Sequence, residues 1–210
     1  IQDIVDMQLT GGEDVPLSDN VYQWDDVAQA YWTAWEYDFG SNGLIDFTGD
    51  GVWYGDAANI NFPPTYGAWI RSIQTSDQIV NIDGEVITTS PSRDILASDG
   101  TIRTVFQVTT GLAAPVALDD MGPTENDMGF FQDGAYGSFD VPVADNVYYW
   151  NPATQAYLVG WLFDSGSNGI VDFTGDGVWY GDPIALPVGE AVWYRHIGTS
   201  TWSWTPPVLY

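Results

Sequence analysis

Apolar and polar residues alternate over short runs through most of this sequence, and a period of two predicts strands. The run Val21-Tyr22-Gln23-Trp24 and the run Ala30-Tyr31-Trp32-Thr33-Ala34-Trp35 carry β-branched and aromatic residues in near alternation. Residues 25–28 break the pattern with polar groups and read as a turn. A second pair of runs flanks Asn151-Pro152-Ala153-Thr154, which fits a type I turn: proline fixes φ at the second position and asparagine bonds back to the chain. Further strands are predicted over 68–73, 78–82, 85–89, 103–109, 130–131 and 192–197. No window of a dozen residues carries a 3.6-residue period, and 23 glycines and 12 prolines interrupt the chain every few positions. The expected fold is all-β.

The pattern occurs twice. DNVYQWDDVAQAYWTAWEYDFGSNGLIDFTGDGVWYGD, from Asp19, returns as DNVYYWNPATQAYLVGWLFDSGSNGIVDFTGDGVWYGD, from Asp145, at a constant offset of 126. Two tandem β-sandwich-like modules are expected, over residues 1–88 and 89–210. Beyond Asp56 the first copy holds two extra residues, so that Trp69, Arg71 and Ile73 match Trp193, Arg195 and Ile197 at an offset of 124. The stretch from about 87 to 126, including TIRTVFQVTTG, has no counterpart in copy one. The first module is therefore expected to lack its opening strand or strands. An open edge exposes unpaired amides and an apolar groove. Candidates to fill it are residues 203–210 of the same chain, a segment removed beforehand, or a strand from a neighbouring subunit; closure without any such strand is the plain alternative. Donation between subunits would build a head-to-tail filament.

Composition then limits the partners. Against 29 acidic residues stand four arginines, no lysine and one histidine, a formal charge of −25. Such a polyanion repels nucleic-acid phosphates and anionic lipid, and no apolar run reaches the ~20 residues that span a bilayer. With 11 Trp, 12 Tyr and 9 Phe, the chain has ample apolar surface to offset its ordering entropy. Cysteine is absent, and the chain opens on Ile1 rather than methionine; together with the acidity, this points to an exported, extracellular or cell-surface protein. High-salt adaptation is a second explanation of the acidity.

The duplicated DFTGDGV loop offers candidate metal ligands. Asp46, Thr48 and Asp50 occupy loop positions 1, 3 and 5, Gly51 position 6 and the Val52 carbonyl position 7. Asp172, Thr174, Asp176 and Val178 repeat them. Calcium takes six to eight oxygens from a tightly turned loop of this spacing. Its closing carboxylate belongs at position 12, whereas Asp56 and Asp182 stand at 11. Asn42 and Asn168 are further oxygen donors. The competing reading is a plain turn, since Asp and Gly tolerate positive φ.

Trp24, Trp35, Trp53 and Trp69 recur as Trp150, Trp161, Trp179 and Trp193 and are expected to form the core of each module. An exposed row of them would instead stack on sugar rings. The unrepeated Trp32, Tyr149, Trp202 and Trp204 are assigned to the surface or an interface. Arg71 and Arg195 are expected to pair with aspartates. His196 has no twin, Ser72 standing in its place, and a nitrogen-ligand metal site or Ser/His/Asp set would rest on it alone. The glycine-flanked carboxylates suit ligation or capping more than acid–base work. No enzyme is expected.

DNVYYWNPATQAY, followed some thirty residues later by LPVGEAVWYRHIG, resembles modules of long secreted and surface proteins of environmental bacteria, especially Verrucomicrobia, Planctomycetes and Bacteroidetes. In these a VYxWDPxTQxY strand pair precedes a Leu-Pro-x-Gly element and an aromatic strand. The likeness covers most of copy two and the latter three quarters of copy one, where Phe62-Pro63-Pro64-Thr65-Tyr66-Gly67 replaces the Leu-Pro-x-Gly element. It implies an exported β-module with a structural or adhesive role and offers no catalytic residues. The sequence thus leads to a non-enzymatic filament subunit partnered by copies of itself. The alternative is a carbohydrate-binding or adhesive surface module, with glycans as partners.

Overall fold

A computed structural model describes residues 9–42, 46–63, 65–75, 92–98, 104–109, 116–118, 134–168, 173 and 175–205. The chain divides into two compact units, one of Ile1–Pro63 with Ala68–Ile87 and one of Pro64–Gly67 with Thr88–Tyr210. Both are built of antiparallel strands, and the only helical elements among the described residues are two short 3-10 turns, Val15–Leu17 and Val141–Val143. Predicted strands at 78–82, 85–89 and 130–131 lie outside the described residues.

In the first unit β1 (Asn20–Asp25), β2 (Ala30–Glu36), β3 (Trp53–Gly55) and β4 (Trp69–Arg71) form one sheet in the order β3-β2-β1-β4. The turn between β1 and β2 follows from its residues. Asp25 Oδ1 accepts the amides of Val27 and Ala28 at 2.9 and 3.2 Å, and Gln29 enters the left-handed region at φ 50° while its Nε2 donates to Asp26 O. Asn151 and Gln155 repeat both devices in the second copy. Asparagine and aspartate are interchangeable here because only an acceptor oxygen is required.

The second unit repeats this sheet and extends it. Its strands are β5 (Arg93–Ile95), β6 (Thr104–Thr109), β7 (Val116–Ala117), β8 (Asn146–Asn151), β9 (Ala156–Leu162), β10 (Trp179–Gly181), β11 (Ala185–Leu186), β12 (Ala191–His196) and β13 (Trp202–Trp204). The main sheet runs β10-β9-β8-β12-β6, with two-stranded sheets β11-β7 and β13-β5 beside it. Strand β12 is the counterpart of β4, so β6 is the additional strand. Among the described residues the first unit has no strand in the place of β6. The far side of β6 is covered in turn by Thr65–Gly67, with Tyr66 bridged to Val108. Four residues of copy one, Pro64–Gly67, thus belong to the second unit, at the place where copy one departs from the Leu-Pro-x-Gly element.

Among the described residues the two cores differ in size. That of the second unit is built on Phe106, Val108, Val147, Leu162, Val192, Tyr194 and Trp204, with partners from the small sheets. That of the first is Val21, Ala34 and Ile60 with half-buried neighbours including Trp32 and Trp53.

Two glycines are demanded by close approach. Gly55 (φ 76°) and Gly181 (φ 107°) lie under the rings of Trp35 and Trp161, where an added Cβ would stand 2.6 and 2.7 Å from Cζ3 and about as close to a β2 or β9 carbonyl. Gly55→Ala is expected to destabilise the first unit by about 2 kcal/mol or more, from left-handed strain and overpacking together. Denaturant unfolding followed by tryptophan fluorescence measures it.

Candidate assembly edge, loops and aromatic face

The duplicated loops are held by their own aspartates. Asp50 Oδ1 accepts the amide of Phe39 at 2.9 Å, and its Oδ2 accepts those of Asp46 and Phe47 at 3.1 and 2.7 Å. Asp176 is placed alike, accepting from Ser165 and Phe173 at 2.8 and 3.0 Å. Residues 53–55 and 179–181 run on as β3 and β10, a rise of ~10 Å, which carries Asp56 and Asp182 away from the loop. Their Oδ2 atoms brace the neighbouring strand, accepting Thr33 N at 3.0 Å and Val159 N at 2.9 Å. The carbonyls of Val52 and Val178 accept Tyr37 N and Phe163 N, both at 2.9 Å. Asp56 and Asp182, the candidate closing ligands, thus also serve as strand braces. Asp46 and Thr48 stay exposed, Asp46 accepting from Asn42 Nδ2 at 3.3 Å; Asp172 and Thr174 lie outside the described residues. Among the described residues no three His, Cys, Asp or Glu side chains group as a metal site would require.

These amides, first of all that of Phe39, hold the Asp50 carboxyl below the ordinary carboxylate range against the opposing effect of desolvation. The folded loop thus binds protons less readily than the unfolded chain. Its bracing is expected to be complete above about pH 4, the unperturbed aspartate value, and to be lost as pH falls through the lower folded value. An NMR titration of the Phe39 and Phe47 amides should show this step, and Asp50→Asn should remove it.

Each repeat opens on a buried aspartate that ties strand to strand. Asp19 accepts Thr10 N at 2.9 Å and Ile73 N at 2.6 Å. Asp145 accepts Tyr136 N and Ile197 N, both at 2.8 Å, and also the Tyr194 hydroxyl and His196 Nδ1, the latter at 2.8 Å. Asp145 and Tyr194 are fully buried and His196 is 1 % exposed, its Nε2 3.3 Å from Ser200 O. Burial and the Asp145 charge push the Tyr194 hydroxyl well above its usual range. The lone histidine is thereby enclosed in a structural cluster that copy one lacks, with Ile70 and Ser72 at the matching positions.

Arg71 and Arg195 bond carbonyls at equivalent places in the two copies. Arg71 Nη1 donates to Val15 O and Asn20 Oδ1 at 3.2 and 3.1 Å, and Arg195 Nη2 to Val141 O and Ala144 O at 2.8 and 3.1 Å, so each clamps a 3-10 turn. Sequence reasoning missed Arg93. It is 3 % exposed, donates from Nη1 to Thr65 O and Gln107 O at 2.9 and 2.7 Å, and lies 3.6 Å above the Tyr66 ring. Its place within the apolar-flanked run SRDIL, in a chain with four arginines, was the available signal.

The register reverses the tryptophan assignment except at Trp53 and Trp179. Asn20, Tyr22 and Trp24 face the same side as Tyr31, Thr33, Trp35, Tyr54 and Trp69, because these are direct cross-strand partners. The buried Val21 and Ala34 face the other side. The repeated Trp24, Trp35 and Trp69, with Trp150, Trp161 and Trp193, are thus half-buried on the outer face of each sheet, while Trp53 and Trp179 face inward. The unrepeated aromatics assigned to the surface turn inward: Trp204 is 2 % exposed, Trp32 and Trp202 pack on the cores, and Tyr149 packs on the second core. The Tyr149 hydroxyl donates to Glu190 Oε2 at 2.7 Å and, chiefly through burial, is pushed up to about 12.

The edges differ as well. On β12, Tyr194 is fully buried beside Phe106 of β6, whereas Ile70, at the same place on β4, is 37 % exposed. Among the described strands, β4 ends the first sheet. Of the intrachain segment expected to fill that edge, Ser203 and Trp204 are engaged with Arg93 and Asp94 in the second unit. No family model matches the chain, and neither a curated protein nor a solved structure matches it.

Proposed function

We propose that this chain is a non-enzymatic structural subunit of an extracellular filament, in which a strand of a neighbouring copy completes the first sheet along β4. The carrying observation is the contrast between Ile70 and Tyr194: equivalent inward residues, one open and one sealed by β6. A strand added beside β4 would occupy the position that β6 holds in the second unit, satisfying edge amides and covering Ile70 with apolar side chains. Because acceptor and donor are different surfaces, the contact repeats head to tail. The enclosure of His196 supports a role without catalysis.

Negative-stain electron microscopy of the native material, with and without a calcium chelator, tests this. Regular fibres are expected, and Ile70→Asp, which places a charge where the added strand would pack, should leave folded single particles. Loosening on chelation would bring calcium at the Asp46 and Asp172 loops into the assembly. Single particles of the unaltered protein in both conditions would overturn the filament and shift the weight to a surface binding module.

A further inference from the structure

The outer sheet faces carry a feature that strand addition does not use. In the first unit the Tyr31 ring stands edge-on to Trp24 at 5.1 Å and 80°, and Tyr54 leans on Trp35 at 6.3 Å. In the second, Tyr157 meets Trp150 at 5.1 Å and 66°, and Tyr180 meets Trp161 at 6.2 Å. The four tyrosines are 43, 44, 46 and 45 % exposed. The two cores, by contrast, differ in residue and in size. The same rings therefore stand at the same exposure on faces that the cores do not require, and large aromatic patches left open on a soluble domain mark binding surfaces.

We propose that these two faces bind neutral polysaccharide, with pyranose rings stacking on the Trp24–Tyr31 and Trp35–Tyr54 pairs and on their counterparts in the second unit. Charge selects the occupant. A chain carrying −25 repels anionic polymers. A neutral sugar offers apolar C–H faces to the rings and hydroxyl donors to acceptors at the rim. Asp56 and Asp182 are such acceptors: both are exposed, both sit beside the outer-face residues Thr33 and Val159, and each carboxylate retains lone pairs beyond the amide it accepts. None of this depends on β4, so it stands or falls apart from the filament.

The test is retention of the full chain, kept unassembled, on microcrystalline cellulose and chitin, and its retardation in gels containing neutral β-glucan, mannan or arabinoxylan. Alginate serves as the anionic control. Retention on at least one neutral polymer and none on alginate is expected. Tyr31→Ala with Tyr157→Ala, and separately Tyr54→Ala with Tyr180→Ala, should each weaken it by ~tenfold or more, whereas the Phe versions should retain it. If an alanine pair fails to fold by circular dichroism, the glutamine pair keeps the bulk and removes the ring. Absence of retention on every neutral polymer, or retention indifferent to loss of the rings, would overturn the proposal. Variants that abolish self-association in light scattering while leaving retention intact would also overturn it, assigning the face to a second copy.

Discussion

Asp145→Ala is expected to unfold the second unit or to destabilise it by ~3–5 kcal/mol, the order expected when several buried polar groups lose one shared acceptor. The size follows from what is left behind. Two backbone amides, the Tyr194 hydroxyl and the His196 imidazole all lose their common acceptor, in a place without access to water. Each stranded buried group costs about 1–3 kcal/mol before relaxation. Asp19→Ala removes an acceptor from two amides only and should cost distinctly less. Urea unfolding of the two variants, followed by hydrogen exchange at Ile197 and Ile73, separates the effects. Equal losses would mean that the Tyr194–His196 pair contributes nothing to the second unit.

Trp204→Ala is expected to cost about 3–5 kcal/mol, the usual penalty for emptying a buried tryptophan site. Trp204 is among the largest fully enclosed side chains, sits in the core of the second unit and anchors β13 to β5. Trp24→Ala, on the half-open outer face, should cost much less, because its site can be filled by water rather than by vacuum. The pair of measurements is sharp because repetition alone suggests the opposite order. A smaller loss at Trp204 than at Trp24 would contradict the register described above.

How much was legible beforehand depends on whether the cause is local. The β1–β2 turn was readable in Asp25 and Asn151, since one side-chain oxygen bonding two residues onward needs no tertiary help. The duplication was readable from the constant offset between the copies. The extension of residues 53–55 was not readable from the loop at Asp46, because ligand spacing is a local pattern whereas that extension depends on pairing with β2. Arg93 was missed for the same reason: its partners Thr65, Tyr66 and Gln107 are distant in sequence.

The sequence by itself determined the all-β class, the duplication, the turns and the strong negative charge, all set by residue type and short-range spacing. Tertiary structure decided which side of each sheet was buried. Strand alternation divides residues into two sets but does not say which set meets the core, and here both sets are apolar. Pairing with β6, the closing of Asp145 over Tyr194 and His196, and the inward turn of Trp204 settled that choice, leaving Trp24, Trp35 and Trp69 and their counterparts on the outer faces and only Trp53 and Trp179 of the repeated tryptophans turned inward.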